Sequence, residues 1–126
     1  MLALRYRPFW IAASCVLVAV VIWGSLQTAI HPELRQGFDK VEHFATYLFL
    51  AVWFTGLYRR PRYWAVAAGL LALGFAMEAA QLAMQAGRTA DPYDMAANGA
   101  GIVLGVLLAS IATGGWAQRL EAWLTR

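Results

Sequence analysis

Polar side chains recur at helical spacing in three separate stretches of an otherwise apolar sequence. In two stretches the spacing is i, i+3 and i+7, and in the other it is i, i+4 and i+8, so each set lies on one face of a helix. The residues are Asp39, His43 and Tyr47 in the first stretch, Glu78, Gln81 and Gln85 in the second, and Asp91, Asp94 and Asn98 in the third. Imidazole and carboxylate groups in this pattern suit hydrogen bonding to a polar ligand or acid–base chemistry.

Glu78 is the most informative of these residues, because it is the only formal charge in its apolar run. A charged group at the centre of a membrane helix costs about 2.5 to 3.5 kcal/mol, so it indicates a function. With a rise of 1.5 Å per residue, Glu78 lies about 10 Å from Gln85, and Asn98 lies about 10 Å from Asp91. The matching depths predict that the polar faces converge on one outward-opening pocket.

The predicted ligand-binding residues of this pocket are Asp39, Lys40, His43, Tyr47, Glu78, Gln81, Arg88, Asp91, Asp94 and Asn98. Among them, Glu78, His43 and Asp94 are the catalytic candidates. The alternative is that the polar groups only pair with one another across helices. That alternative is favoured for surface-level residues such as Lys40 and Asp91, whereas function is favoured for Glu78.

The composition indicates the elements that carry these residues. The chain has 126 residues, of which 61% are hydrophobic and 13% are charged, with a mean hydropathy of +0.55. Backbone groups in a bilayer must be satisfied within helices or a closed barrel, and continuous apolar runs without alternation favour helices. We therefore predict an all-α membrane protein, a single domain over residues 1–126, with four transmembrane helices in an antiparallel bundle.

The predicted spans are about 9–30, 39–58, 63–85 and 93–113. His31-Pro32 is expected to break the first helix, and Gly114-Gly115 the fourth. A short C-terminal helix follows, with an apolar face that suits the membrane surface; that face consists of Trp116, Leu120, Trp123 and Leu124.

Two helices carry small residues at every fourth position, a pattern that lets helix backbones approach closely. In the third span these are Ala68, Ala72, Ala76 and Ala80, and in the fourth span they are Ala97, Gly101, Gly105 and Ala109. We predict a helix-packing role for the stripe of the fourth span.

Basic residues set the predicted orientation, because Lys and Arg are enriched on the cytoplasmic side. Four predicted spans place seven basic residues on one side of the membrane, namely Arg5, Arg7, Arg59, Arg60, Arg62, Arg119 and Arg126. They place three on the other side, namely Arg35, Lys40 and Arg88. Both termini are therefore expected in the cytoplasm, with the pocket facing outward.

Because the basic residues are scattered at the ends of apolar runs, no nucleic-acid partner is predicted. The single cysteine, Cys15, allows no disulfide within the chain, and neither a metal nor a cofactor is predicted.

The order and spacing of the polar residues resemble the VanZ-like family of bacterial membrane proteins. The matching pieces are Asp39-Lys40-x-x-His43-Phe44-x-x-Tyr47, Glu78-x-x-Gln81 and Arg88-x-x-Asp91-x-x-Asp94-x-x-x-Asn98-x-x-Gly101-x-x-x-Gly105. The resemblance covers about residues 39–105 and implies a protein of the bacterial cytoplasmic membrane. Because the family is named for a protein associated with low-level teicoplanin resistance, it also implies a link to glycopeptide resistance.

The sequence is compatible with three functions. The first is binding of an envelope lipid or lipid-linked glycoconjugate headgroup, such as a cell-wall precursor, in the polar pocket. The second is a membrane-embedded acid–base or metal-dependent enzyme acting on a lipid-linked substrate. The third is a small structural partner of larger envelope proteins, which the small-residue stripes favour. The oligomeric state is left open.

Overall fold

The computed structural model describes residues 1–30, 39–84 and 92–125, with the side chains of residues 28–30 and 39 excepted. These residues form helices and contain no strand. The helices are α1 (Arg7–Ile30), α2 (Asp39–Leu57), α3 (Tyr63–Ala83), α4 (Pro92–Leu108) and α5 (Trp116–Leu124), and a short 3₁₀ turn, Arg60–Arg62, precedes α3. The all-helical prediction is confirmed for this part of the chain. The predicted break at His31-Pro32 lies outside it.

Among the described residues, three segments are long and apolar enough to cross a membrane, namely Arg7–Gln27, Arg60–Ala83 and Pro92–Thr113. They coincide with the predicted first, third and fourth spans. α2 does not reach the same hydropathy, because its first two turns contain Asp39, Lys40 and Glu42. Its 19 residues nevertheless measure about 28 Å, close to the thickness of a hydrocarbon core. The fourth crossing, and with it the antiparallel four-span bundle, therefore stays a prediction.

The packing of α2 against α4 forms the centre of the fold. A Cβ atom on Gly101 would collide with the carbonyl oxygen of Phe44 and lie 2.8 Å from the backbone nitrogen of Leu48. A Cβ atom on Gly105 would lie 2.5 Å from the Cβ of Ala51. Only residues without side chains allow the two backbones to approach this closely. The glycine stripe thereby sets the distance between the two helices that carry most of the polar residues.

The buried face of α3 differs from its alanine stripe. Leu70, Gly74, Glu78 and Gln81 are buried, whereas the alanines at 68, 72 and 76 are exposed. The polar residues therefore lie on the face that enters the bundle. Close approach occurs instead at Gly74, where an added Cβ would lie 3.2 Å from Nδ2 of Asn98 and 3.4 Å from the hydroxyl of Tyr47.

The last part of the predicted fourth span is not regular α-helix. Residues Ala109–Thr113 form a π-helical turn. The guanidinium of Arg60 donates a 2.6 Å hydrogen bond to the carbonyl oxygen of Ser110. A side chain that bonds to backbone groups in this way locally alters the helical hydrogen-bond ladder. The helix ends at Gly114-Gly115 as predicted, with Gly115 in the left-handed region at φ 71°.

The predicted C-terminal helix is present as α5. Trp116, which was predicted to face the membrane surface, packs on the bundle instead, and its indole donates a 3.1 Å hydrogen bond to the carbonyl of Val52. Ala117 and Glu121 are buried, while Trp123 and Leu124 are 68% and 63% exposed. An exposed apolar face on a short helix suits the membrane surface. The N-terminal segment meets the same end of the bundle, where the backbone N–H of Leu2 donates a 2.8 Å hydrogen bond to the carbonyl of Leu57.

Candidate functional site

His43 and Asn98 connect α2 to α4 at the polar end of the bundle. Nδ1 of His43 lies 3.1 Å from Oδ1 of Asn98, and Asn98 is 1% exposed. Because an amide oxygen only accepts hydrogen bonds, Nδ1 is the donor in this pair. The interaction therefore fixes the orientation of the imidazole and leaves Nε2 to face the next residue of the site.

That residue is Asp94, which is fully buried. Its Oδ2 lies 3.8 Å from Nε2 of His43, and its Oδ1 lies 3.6 Å from Nζ of Lys40. The two carboxylate oxygens thus face different cationic or titratable groups. Lys40 also lies over the ring of Tyr93, with Nζ 5.6 Å from the ring centroid. Burial of the carboxylate is compensated by these contacts, as buried charges require.

Glu78 of α3 completes a compact three-residue cluster with His43 and Asp94. One ligand-type atom from each residue lies within 4.8 Å of those of the other two. Two ionised carboxylates within this distance of each other repel by at least about 3.5 kcal/mol at an effective dielectric constant of 20. A proton or a cation shared within the cluster removes this repulsion. The cluster can therefore bind a cationic group or exchange a proton.

A cavity of about 250 Å³ opens beside the cluster. His43, Glu78 and Asn98 line its polar side together with Glu42, while Val20, Val21 and Met77 contribute an apolar wall. The remaining lining residues are Gly24, Ser25, Thr46, Tyr47 and Gly74. The cavity is therefore amphipathic, and α1 forms part of it, which the sequence analysis did not predict.

Gln81 lies on the same face of α3 as Glu78 and ties this helix to α1. Its Nε2 donates hydrogen bonds of 2.8 Å to the carbonyl of Ser25 and 2.9 Å to the hydroxyl of the same residue. Gln81 is 1% exposed. These bonds correspond to the interhelical pairing that was the alternative to a ligand-binding role.

The structure thus brings together seven of the predicted site residues in one region, and it leaves three undetermined. Lys40, His43, Tyr47, Glu78, Gln81, Asp94 and Asn98 lie around the cluster and cavity. Asp39 is the first residue of α2, but its side chain is outside the described part. Arg88 and Asp91 also lie outside it. Ser25 and Glu42 were missed as site residues, because a single serine or a glutamate at a helix start carries no distinguishing sequence signal.

A second polar cluster lies at the other end of α1. The Glu121 carboxylate accepts hydrogen bonds from the backbone N–H of Arg5 at 2.7 Å, the backbone N–H of Tyr6 at 2.9 Å and the indole of Trp10 at 2.8 Å. Desolvation raises the pKa of Glu121, but these hydrogen bonds and the charge of Arg5 outweigh it, so the pKa lies below its ordinary value. Because all three hydrogen bonds join the Glu121 carboxylate to other groups of the protein, this cluster attaches α5 to the N-terminal end of α1.

A family model described as VanZ/LLP1 matches residues 4–113. The match includes α1, for which the sequence resemblance carried no signature. Neither the curated proteins nor the solved structures gave a significant match. Because the matched region covers most of the 126 residues and contains the three apolar helices, the chain is a membrane protein that belongs to the VanZ/LLP1 family.

Proposed function

We propose that the protein binds the polar headgroup of an envelope lipid or lipid-linked glycoconjugate in the cavity beside His43 and Glu78. The observation that carries this proposal is the amphipathic lining of the cavity. Imidazole, carboxylate and amide groups offer hydrogen bonds on one side, and Val20, Val21 and Met77 offer an apolar surface on the other. Ligand sites commonly combine an apolar wall with a few convergent polar groups, and a lipid presents both kinds of surface.

The charges at the site favour a headgroup with hydroxyl, amine or sugar groups. Glu42 and Glu78 line the cavity, and Asp94 lies directly behind His43. These acidic side chains accept hydrogen bonds when ionised. Lys40 contacts Asp94 and is 53% exposed, so its ammonium group can contact an anionic part of the same headgroup. Sugar or amino groups linked to a phosphate would satisfy both kinds of partner.

The proposed topology has four spans in an antiparallel bundle, with α2 as the additional crossing. Its polar start is then at the outer headgroup level, and both termini are in the cytoplasm of a bacterial inner membrane. The excess of arginine at the termini and at the α2–α3 connection supports this orientation. Under this topology the cavity opens toward the outer leaflet, where envelope glycoconjugates are handled.

Native mass spectrometry of the full chain, extracted gently from membranes, tests the proposed binding. The wild type is expected to retain a lipid, whereas His43→Ala and Glu78→Gln are expected to lose it. Glu121→Gln is the matched control, since it changes a buried carboxylate at the other end of α1. Trp10 contacts Glu121 and Ser25 lines the cavity, and these two residues lie about 22 Å apart along α1. Equal lipid retention in all four proteins would contradict the proposal.

A second candidate function is acid–base or metal-dependent catalysis on a lipid-linked substrate, because three titratable groups lie within 4.8 Å of one another. Clustered titratable groups beside a cavity are typical of active sites. Under this alternative, Glu78→Gln would retain the lipid but abolish its conversion, which mass spectrometry of the bound species would detect.

Comparing teicoplanin susceptibility of cells with and without the protein tests the resistance link implied by the family.

A further inference from the structure

We propose that the protein holds one divalent transition-metal ion, of the zinc class, between Nε2 of His43 and the carboxylates of Glu78 and Asp94. The three ligands come from α2, α3 and α4, and one ligand-type atom of each lies within 4.8 Å of the others. One imidazole nitrogen and two carboxylate oxygens form a ligand set that suits zinc and neighbouring first-row metals. The sequence contains no compact metal-binding motif, so a metal site was left there only as part of the alternative of a metal-dependent enzyme.

The orientation of His43 is the independent observation that points to a cation. Nδ1 is the donor to Oδ1 of Asn98, so Nε2 is the ring nitrogen that remains to bind an ion. Nε2 faces the carboxylate oxygen Oδ2 of Asp94 at 3.8 Å. Metal-binding histidines typically donate their second ring nitrogen to an acceptor in this way.

The distances are compatible with an ion after a small closing movement. Two ligand atoms each about 2.1 Å from a zinc ion, at a tetrahedral angle, lie about 3.4 Å apart. The His43–Asp94 separation of 3.8 Å is near this value. Lys40 contacts Oδ1 of Asp94, which is the other oxygen of the carboxylate. With a half-exposed side chain, Lys40 can stay at this position or turn to water when an ion is bound.

Three protein ligands leave an open coordination position, as in catalytic rather than structural zinc sites. Both His43 and Glu78 line the cavity, so an oxygen atom of a bound molecule can reach the ion from that side. The inference goes beyond the proposed lipid binding and does not rest on it, since the ion is held by protein atoms.

The test uses the full chain purified in detergent, treated with a chelator and titrated with Zn²⁺ by isothermal calorimetry. We expect one ion per chain, and we expect Co²⁺ to give visible absorption bands of a low-coordinate site with a nitrogen ligand. His43→Ala and Asp94→Asn are expected to weaken Zn²⁺ binding at least about tenfold. Glu121→Gln is expected to bind Zn²⁺ as the wild type does, and Mg²⁺ is expected to compete poorly because the site contains an imidazole.

Absence of saturable Zn²⁺ binding to the wild type would overturn the inference. Unchanged affinity in both His43→Ala and Asp94→Asn would also overturn it, because the ion would then lie elsewhere. If the variants do not fold, the Co²⁺ spectrum of the wild type decides, since only the proposed site supplies imidazole together with two carboxylates in the described residues. Lipid retention without metal binding would refute this inference alone, and metal binding without lipid would refute the proposed function alone.

Discussion

Oδ1 of Asn98 lies 3.1 Å from Nδ1 of His43, and the two residues are 55 positions apart on different helices. This contact fixes which nitrogen of the imidazole faces Asp94. It also lies beside Gly74, where the absence of a side chain makes room for the Asn98 amide and the Tyr47 hydroxyl. Asn98 is therefore a positioning residue, which acts on the site through the orientation of His43.

Replacing Asn98 by alanine is expected to lower the free energy of unfolding by about 1 to 3 kcal/mol, because the partly buried Nδ1 of His43 loses its acceptor. Lipid retention should fall as well. Asn98→Asp keeps an acceptor oxygen and is expected to preserve the imidazole orientation. Thermal unfolding in detergent and native mass spectrometry measure the two effects. Equal lipid loss in Asn98→Asp and Asn98→Ala would argue against positioning through this hydrogen bond.

Two glycines of α4 provide a matched pair for the packing of α2 against α4. Gly101→Ala is expected to destabilise the fold by about 1 to 3 kcal/mol, since the new methyl group meets the backbone of Phe44 and Leu48. Gly99→Ala is expected to be neutral or slightly stabilising, because nothing lies within 4 Å of its added Cβ and alanine favours helix. The two variants are compared by their thermal unfolding midpoints in the same detergent. Similar midpoints would show that the close approach is not required.

The Glu121 cluster predicts an acid-sensitive contact between α5 and α1. The pKa of Glu121 in the folded protein is lowered from its ordinary value of 4.5. Its stabilising contribution is therefore complete above pH 4.5 and is lost as the pH falls through the lower folded pKa. The unfolding temperature of the wild type should fall more steeply between about pH 5 and pH 3 than that of Glu121→Gln. Parallel curves for the two proteins would contradict this assignment.

The proposed topology predicts that the start of α2 lies on the outer side of the membrane and that α5 lies on the cytoplasmic side. In a Cys15→Ser background, a cysteine replacing Lys40 should react with a membrane-impermeant maleimide in intact cells. A cysteine replacing Gln118, whose amide contacts the carbonyl of Ala3, should react only after the membrane is opened. Labelling of both positions from the same side would rule out the four-span topology with α2 as a crossing.

The apolar runs and their breaks determine the helices, because backbone groups in a bilayer must bond within the segment. They therefore predicted α1, α3, α4 and the end at Gly115. The fixed rise per residue also predicted the common depth of Glu78 and Asn98. Since α2 begins with a charged turn, composition alone does not show that it crosses the membrane. The sequence likewise did not indicate the π-helical turn at Ala109–Thr113, where the guanidinium of Arg60 bonds to the carbonyl of Ser110, 50 positions away.

Helical periodicity by itself determined that polar residues would form stripes on three helices, since residues at i, i+3, i+4 and i+7 share a face whatever surrounds them. Only the tertiary structure decided which stripes meet and which atoms face one another. It placed Nε2 of His43 against Asp94, directed Gln81 to Ser25 and buried Glu121 against α1. These contacts depend on how whole helices are rotated and how far apart they lie. Close packing at residues such as Gly101 sets that geometry, whereas the spacing of residues within one helix contains no information about it.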